Sequence, residues 1–329
     1  MPTASDLGER ALIQRITSRL AAPDWVLVGP GDDAAVVEPQ RGTLDVLTTD
    51  VQVEGVHFDR RFMPPDAIGH RALAVNLSDL AAMGARPRVA LLSLVLPGDL
   101  DVSVVDGLMD GMLRVAEAHR IAIVGGNISR SPGPMMIDVT AIGSIGRRRV
   151  LTRGGARPGD IVCVTGTIGD GAAGLESLRD GADLPLGPAE RRFLYPEARV
   201  RAGMLLASGR AATACMDLSD GLADGVRQIS EASGVGMAID AERLPVTEDV
   251  RRWHQTRGRK PLDAAVTGGD DYELIFTVRP SHQGRLRAVQ RLLGALPLTR
   301  IGMVTKERAI VVTYADGVRE LPRGFEHFA

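Results

Sequence analysis

A single carboxylate inside an apolar helical run constrains this chain more than any other feature. From Ala72 to Ala85 the side chains are apolar, small, amide or hydroxyl, and the only charge is Asp79. Ile68, Ala72, Val75 and Asp79 recur at i, i+4, i+7 and i+11, so the spacing predicts a helix whose carboxylate shares a face with core residues. An ionised group placed there needs a partner, because unpaired burial would drive it to take up a proton instead. The run therefore calls for an arginine or a metal facing Asp79, or for a plain structural salt bridge or helix-end hydrogen bond.

Other segments repeat the theme. An apolar strand, Trp25 to Val28, enters Gly29-Pro30-Gly31-Asp32-Asp33, where extended backbone would point the two acids to opposite sides. A strand over Leu44 to Leu47 is expected to end at Thr48-Thr49-Asp50, and one over Ile121 to Val124 to break at Gly125-Gly126-Asn127-Ile128-Ser129. Asp33, Asp50, Asp79 and Asn127 are thus oxygen-bearing side chains delivered at loop junctions or on a buried helix. Their recurrence points to several segments converging on a phosphate-binding site with more than one metal ion, although Gly-Asp-Asp and similar pieces also occur as ordinary turn chemistry. His57, in Gly-Val-His-Phe, is a candidate substrate contact or a structural histidine.

The opening residues read as a helix capped by Asp6 and Glu9, with Leu12, Ile13, Ile16 and Leu20 on one face. Val105, Leu108, Met109, Met112 and Ala116 stripe another helix whose methionines fill core. Arg147 to Arg149 form a basic connector, and Arg153, next to Gly154-Gly155, is placed to reach a phosphate. A second domain starts at Pro158-Gly159-Asp160, and its Gly166 to Gly174 turn has neither a P-loop nor a dinucleotide fingerprint. Asp217-Leu218-Ser219-Asp220-Gly221-Leu222 links a strand to a helix; Ser219 or Asp220 is the expected cap, with Asp217 left at the strand end. Gly268-Gly269-Asp270-Asp271-Tyr272-Glu273 repeats that arrangement before another strand.

Composition narrows the class. With 329 residues, two domains are expected, divided at 1–150 and 151–329. Net charge is -2 and aromatics are 3%, which offers neither a basic surface nor stacking platforms for nucleic acid. No apolar run reaches membrane-spanning length, the polar start does not read as a signal peptide, and Cys163 and Cys215 sit among apolar residues as reduced thiols do in the cytoplasm. Lys260 and Lys306 are the only lysines, so no lysine serves an N-terminal phosphate loop. Acidic and hydroxyl residues without a zinc-type cluster suit hard cations, magnesium above all, holding a polyphosphate.

The blocks Gly29 to Asp33, Thr48 to Asp50, His57, Ala74 to Gly84, Leu151 to Arg153, Asp217 to Leu222 and Gly268 to Leu274 stand in the order and spacing of the thiamine-monophosphate kinase family. That family belongs to the aminoimidazole-ribonucleotide-synthetase-like superfamily of ATP-binding enzymes. The resemblance spans essentially the whole chain. It implies two α/β domains, of the α+β kind: an N-terminal ATP and magnesium domain whose sheet joins a dimeric β-barrel, and a C-terminal α/β sandwich. It implies an ATP-dependent kinase that makes thiamine diphosphate, acting as a homodimer. By position, Asp33, Thr48, Thr49, Asp50, Asp79, Asn127, Asp217 and Asp220 would bind several magnesium ions, with Asp50, Asp79 and Asp220 at the transfer centre. Gly126, Asn127, Arg153 and Ser219 would contact ATP, and His57, Asp270 and Phe325 the thiamine monophosphate. Three positions depart from the family: Asn127 stands where it carries Asp, Asp270 where it often has Glu, and Phe325 is the nearest aromatic to one that aligns near Leu321-Pro322. Two alternatives remain at this level: another ATP-dependent synthetase of the superfamily, or a protein that binds thiamine phosphates or nucleotide without turnover.

Overall fold

The computed structural model describes residues 2–181 and 186–324, so the assignment of Phe325 to the substrate falls outside the described residues. The chain divides into two compact units: residues 1–80 with 86–147, and residues 81–85 with 148–329.

The first unit opens with α1 (Ala4–Leu7) and α2 (Glu9–Thr17). Its capping box is Thr3 with Asp6, not Asp6 with Glu9, and α2 starts at Gly8 without a side-chain cap. Thr3 wins because its hydroxyl and the Asp6 carboxylate satisfy each other's main-chain N–H groups reciprocally. Leu12 and Ile16 are buried, whereas Ile13 of the expected face is exposed. Strands β1 (Val26–Val28) and β2 (Val36–Val37) pair antiparallel, and Val26 packs with Val89, Ala122 and Val124. Arg88 anchors this hairpin by stacking over Trp25 at 4.8 Å and donating to Glu38 O at 2.7 Å.

Then come β3 (Thr43–Val53), α3 (Pro65–Ala82), β4 (Arg86–Pro97), α4 (Val102–His119), β5 (Ala122–Ser131) and β6 (Met136–Gly146). The sheet order is β3-β6-β4-β5, with β4 and β5 parallel and the other pairs antiparallel. Two expectations are corrected here. Thr48 to Asp50 lie in the middle of β3, and Gly125 to Ser129 lie within β5, because pairing along β6 and β4 carries both strands past the predicted ends. Helices α3 and α4 meet at glycine: a Cβ on Gly69 would stand 1.9 Å from Leu108 O, and one on Gly111 1.8 Å from Asp66 O. That close approach buries the Val105, Leu108, Met109 and Met112 stripe.

The second unit contains β7 (Ile161–Thr165), α5 (Asp170–Asp180), α6 (Gly187–Leu194), α7 (Val200–Ser208), β8 (Ala214–Asp217), α8 (Leu222–Ser233), β9 (Gly236–Asp240), α9 (Glu248–Thr256), α10 (Pro261–Thr267), β10 (Leu274–Val278), α11 (Gln283–Leu293), β11 (Leu298–Thr305), β12 (Ile310–Tyr314) and β13 (Gly317–Glu320). Its seven strands run β13-β12-β9-β11-β7-β10-β8, antiparallel except where β12 meets β9. Strands β7, β8 and β10 are buried along their whole length, reading as continuous apolar runs. Cys163 and Cys215 are buried free thiols that flank Phe276 from either side of β10, and burial pushes Cys163 up to about 12. Among the described residues no helix is long and apolar enough to cross a membrane.

Candidate functional site

On the first unit the alternation of β3 separates the three residues taken as neighbours. Thr48 points its hydroxyl to Asp79 Oδ2 at 2.5 Å, so the α3 carboxylate is met from the sheet. Thr49 turns to the opposite face, where its hydroxyl lies 3.0 Å from Asp138 Oδ1 and 3.1 Å from Thr140 Oγ1. Asp50 returns to the Thr48 face by the period of two. Asp79 is half-buried on a helix whose Ala72, Leu73, Asn76 and Ser78 are fully buried, so the carboxylate looks out from the core rather than into it.

Asp32 and Asp33 are exposed at the tip of the β1–β2 hairpin, and Asp33 N–H donates to Asp32 Oδ1 at 2.8 Å, which is turn chemistry that leaves the Asp33 carboxylate in solvent. Asn127 lies opposite Ser93 on the edge strand, its amide nitrogen donating to Ser129 Oγ at 3.2 Å. Gly126 beside it is obligatory: a Cβ there would fall 1.8 Å from Leu92 O. His57 Nδ1 accepts Val53 N–H at 3.1 Å, which sets the neutral ring's proton on Nε2.

On the second unit two loops are laced together. Asp217 ends β8 fully buried, and Ser219 and Asp220 follow half-buried. Neither Ser219 nor Asp220 occupies the N-cap of α8, contrary to the expectation. Gly221 occupies the N-cap at φ 90°, with no side-chain hydrogen bond to the helix. Gly221 is required because a Cβ would meet Gly268 O at 2.1 Å. The twelve-residue helix thus has glycine at its N-cap directly after Ser219 and Asp220, an arrangement that suits phosphate oxygens. By contrast, the Gly-rich turn before α5 is already occupied. Buried Asp271 accepts Gly169 N–H at 2.7 Å and Gly171 N–H at 3.0 Å, so that turn binds its own carboxylate. Arg153 is exposed and reaches Gln228 Oε1 at the middle of α8.

Burial pushes Asp271 up to about 8, against the pull of those two N–H groups, with the neighbouring Asp170 charge adding to the rise. A carboxyl raised in the fold holds a proton that the unfolded chain has lost. Its contribution is full below pH 3.8 and disappears as pH climbs through about 8. The melting temperature of the native protein is therefore expected to drop relative to that of Asp271→Asn between pH 5 and pH 9. A constant difference across that range would mean that Asp271 is ionised throughout.

Sequence reasoning misses Glu273. It is fully buried and accepts from Thr165 Oγ1 at 2.5 Å, Arg192 at 2.5 Å and Arg199 Nε and Nη2 at 2.7 and 2.5 Å. The available signal was its position at the head of Leu274 to Val278, an entirely buried strand that forces a leading acid to find cations.

The assigned donors are carboxylate, hydroxyl and amide oxygens, a set that fits a hard cation. Among the described residues no group of three or more His, Cys, Asp or Glu side chains forms a metal cluster by itself. Magnesium usually takes one or two carboxylates and completes its shell with water and substrate phosphates, so such a set fits it.

The AIR synthase related protein N-terminal domain matches residues 31–145, and the corresponding C-terminal domain residues 157–315. Thiamine-monophosphate kinase of Aquifex aeolicus is 38% identical over 327 residues, covering 98% of this chain and 99% of that protein. The crystal structure of thiamine-monophosphate kinase from Stenotrophomonas maltophilia aligns with TM-score 0.83 at 37% identity, over 94% of this chain and 96% of that one. A ThiL structure complexed with AMPPCP and TMP aligns with TM-score 0.78 at 36% identity, over 98% of both chains. With both domains present and the likeness running nearly end to end, the chain belongs to the thiamine-monophosphate kinase family, whose members are ATP-dependent phosphotransferases.

Proposed function

We propose that this chain transfers the γ-phosphoryl group of ATP to thiamine monophosphate, giving thiamine diphosphate and ADP in the cytoplasm. The observation that carries the reading is the 36% identity, across 98% of both chains, with a ThiL complexed with AMPPCP and TMP. The site residues are consistent with it. Thr48, Asp50 and Asp79 offer oxygens on the first unit, as do Thr49 and Asn127 on its sheet and Asp33 on the hairpin. Asp217 and Asp220 offer them on the second. These residues would hold several magnesium ions, which when bound neutralise charge on the transferring phosphoryl group. Ser219 and the α8 N-terminus, with Arg153 and Gly126, serve the nucleotide. His57 donates its Nε2 proton to a phosphate oxygen of the acceptor, and Asp270 meets the acceptor from the Gly-rich loop. The acceptor's phosphate is already an ionised nucleophile, so no general base is needed, and transfer is direct and in line.

A homodimer joined through the four-stranded sheet is part of the same reading. It is supported by Leu47, Val51 and Leu91, which are 67%, 47% and 39% exposed and share the face of Thr49 and Thr140.

Asn127 favours one second reading, a protein that binds without turnover, because an amide coordinates more weakly than a carboxylate. A coupled ADP-release assay with ATP and magnesium separates them. Turnover is expected with thiamine monophosphate and not with thiamine or without acceptor. Tight binding of the monophosphate with no ADP formed would establish the binder, and ADP release driven by a different acceptor would point to another synthetase of the superfamily.

A further inference from the structure

The Asp217–Gly221 and Gly268–Glu273 loops continue the pairing of β8 with β10 beyond both strands. Leu218 N–H donates to Glu273 O at 2.8 Å, Tyr272 N–H to Leu218 O at 3.1 Å, and Asp270 N–H to Ser219 O at 2.7 Å. The contact leaves no room for side chains at its centre, since a Cβ on Gly269 would stand 2.7 Å from Ser219 O and one on Gly171 2.3 Å from Asp270 O. Within this stitch Asp270 and Tyr272 both take left-handed backbone, at φ 66° and 51°, a region that side-chain-bearing residues enter only at a cost. The alternation of two left-handed residues has one visible product. It folds the Tyr272 hydroxyl back onto its own loop, 3.2 Å from Asp270 Oδ1, with the tyrosine ring buried.

We propose that Tyr272 is a positioning residue for the acceptor: its hydroxyl holds the Asp270 carboxylate in the orientation that receives the substrate. A carboxylate fixed in this way recognises a cationic ring or the N–H group of a heterocycle, and thiamine monophosphate carries both, a thiazolium and an aminopyrimidine. The inference rests on the acceptor role given to Asp270 above. A free aspartate on a glycine-rich loop would sample several rotamers and lose that freedom on binding; the hydrogen bond removes the loss beforehand. Tyr272 acts through Asp270, which sets a test that a merely structural tyrosine would not pass.

Four proteins are compared: native, Tyr272→Phe, Asp270→Gly and the double variant. Titration calorimetry gives the affinity for thiamine monophosphate, steady-state ADP release gives KM for each substrate, and thermal melts report folding. Phenylalanine keeps the buried ring, so the fold is retained. Tyr272→Phe is expected to weaken the acceptor about fivefold, the size of one ordinary hydrogen bond, with KM for ATP unchanged. In the Asp270→Gly background, where φ 66° suits glycine and no acceptor oxygen remains, the same change is expected to have no further effect. Equal fold losses in both backgrounds, equal losses for ATP and acceptor, or native acceptor affinity in Tyr272→Phe would each overturn the inference. Native acceptor affinity in Asp270→Gly would overturn it too, while the kinase reading would still stand if thiamine monophosphate drives ADP release in the native protein.

Discussion

Asp79→Asn is expected to lower turnover on the order of 10²-fold or more while the protein stays folded. Helix α3 buries Ala72, Leu73, Asn76, Leu77, Ser78 and Leu80, yet leaves Asp79 half-buried at the level of β3. Its hydrogen bond from Thr48 needs only an acceptor oxygen, and an asparagine carbonyl supplies one at the same position. The substitution therefore removes charge and little else, so melting should shift by no more than a few degrees. If the carboxylate serves magnesium and the phosphates, ADP release falls and the magnesium concentration for half-maximal rate rises. Turnover within about threefold of native would reduce Asp79 to a structural acceptor for Thr48.

The sequence carried the helices of the first unit well because their signals are local. The i, i+4, i+7 spacing around Asp79 and the methionine stripe of α4 need only helical periodicity to be read. It failed where a distant strand decides the outcome. Gly125-Gly126 has little strand propensity, yet β5 runs through it because Leu92 leaves space only for glycine at that register. Thr48, Thr49 and Asp50 read as one group in sequence, but they divide between two faces once β6 extends β3 to eleven residues. At the laced loops, Ser219 and Asp220 are displaced from capping α8 because the carbonyl of Gly268 demands Gly221 at that point. Arg192 and Arg199 lie 81 and 74 positions from Glu273, beyond the reach of any periodicity.

That buried trio gives the largest expected effect on stability. Burial alone would raise the Glu273 carboxyl, but the hydrogen bond from Arg199 and the charges of Arg199 and Arg192 outweigh it and hold the group below its usual range. Glu273→Leu takes the buried acid from two guanidinium groups, leaving Arg199, only 11% exposed, with the exposed Glu197 alone of its two ion-pair partners, and should cost about 3–5 kcal/mol of the unit's stability. It also frees the Thr165 hydroxyl, which accepts Leu274 N–H at 2.9 Å, so the head of β10 loosens together with the acceptor loop before it. Because the native carboxyl lies low, its contribution is present above its ordinary pKa of 4.5 and is lost as pH falls through the lower folded value. Denaturant unfolding of native protein and variant should therefore differ most near neutrality and converge in acid. The penalty belongs to the arginines left without their buried acid and not to the missing glutamate itself. Adding Arg192→Met and Arg199→Met to Glu273→Leu is then expected to recover much of the loss. A triple variant no more stable than the single one would show instead that the arginines hold α6 and α7 through contacts of their own.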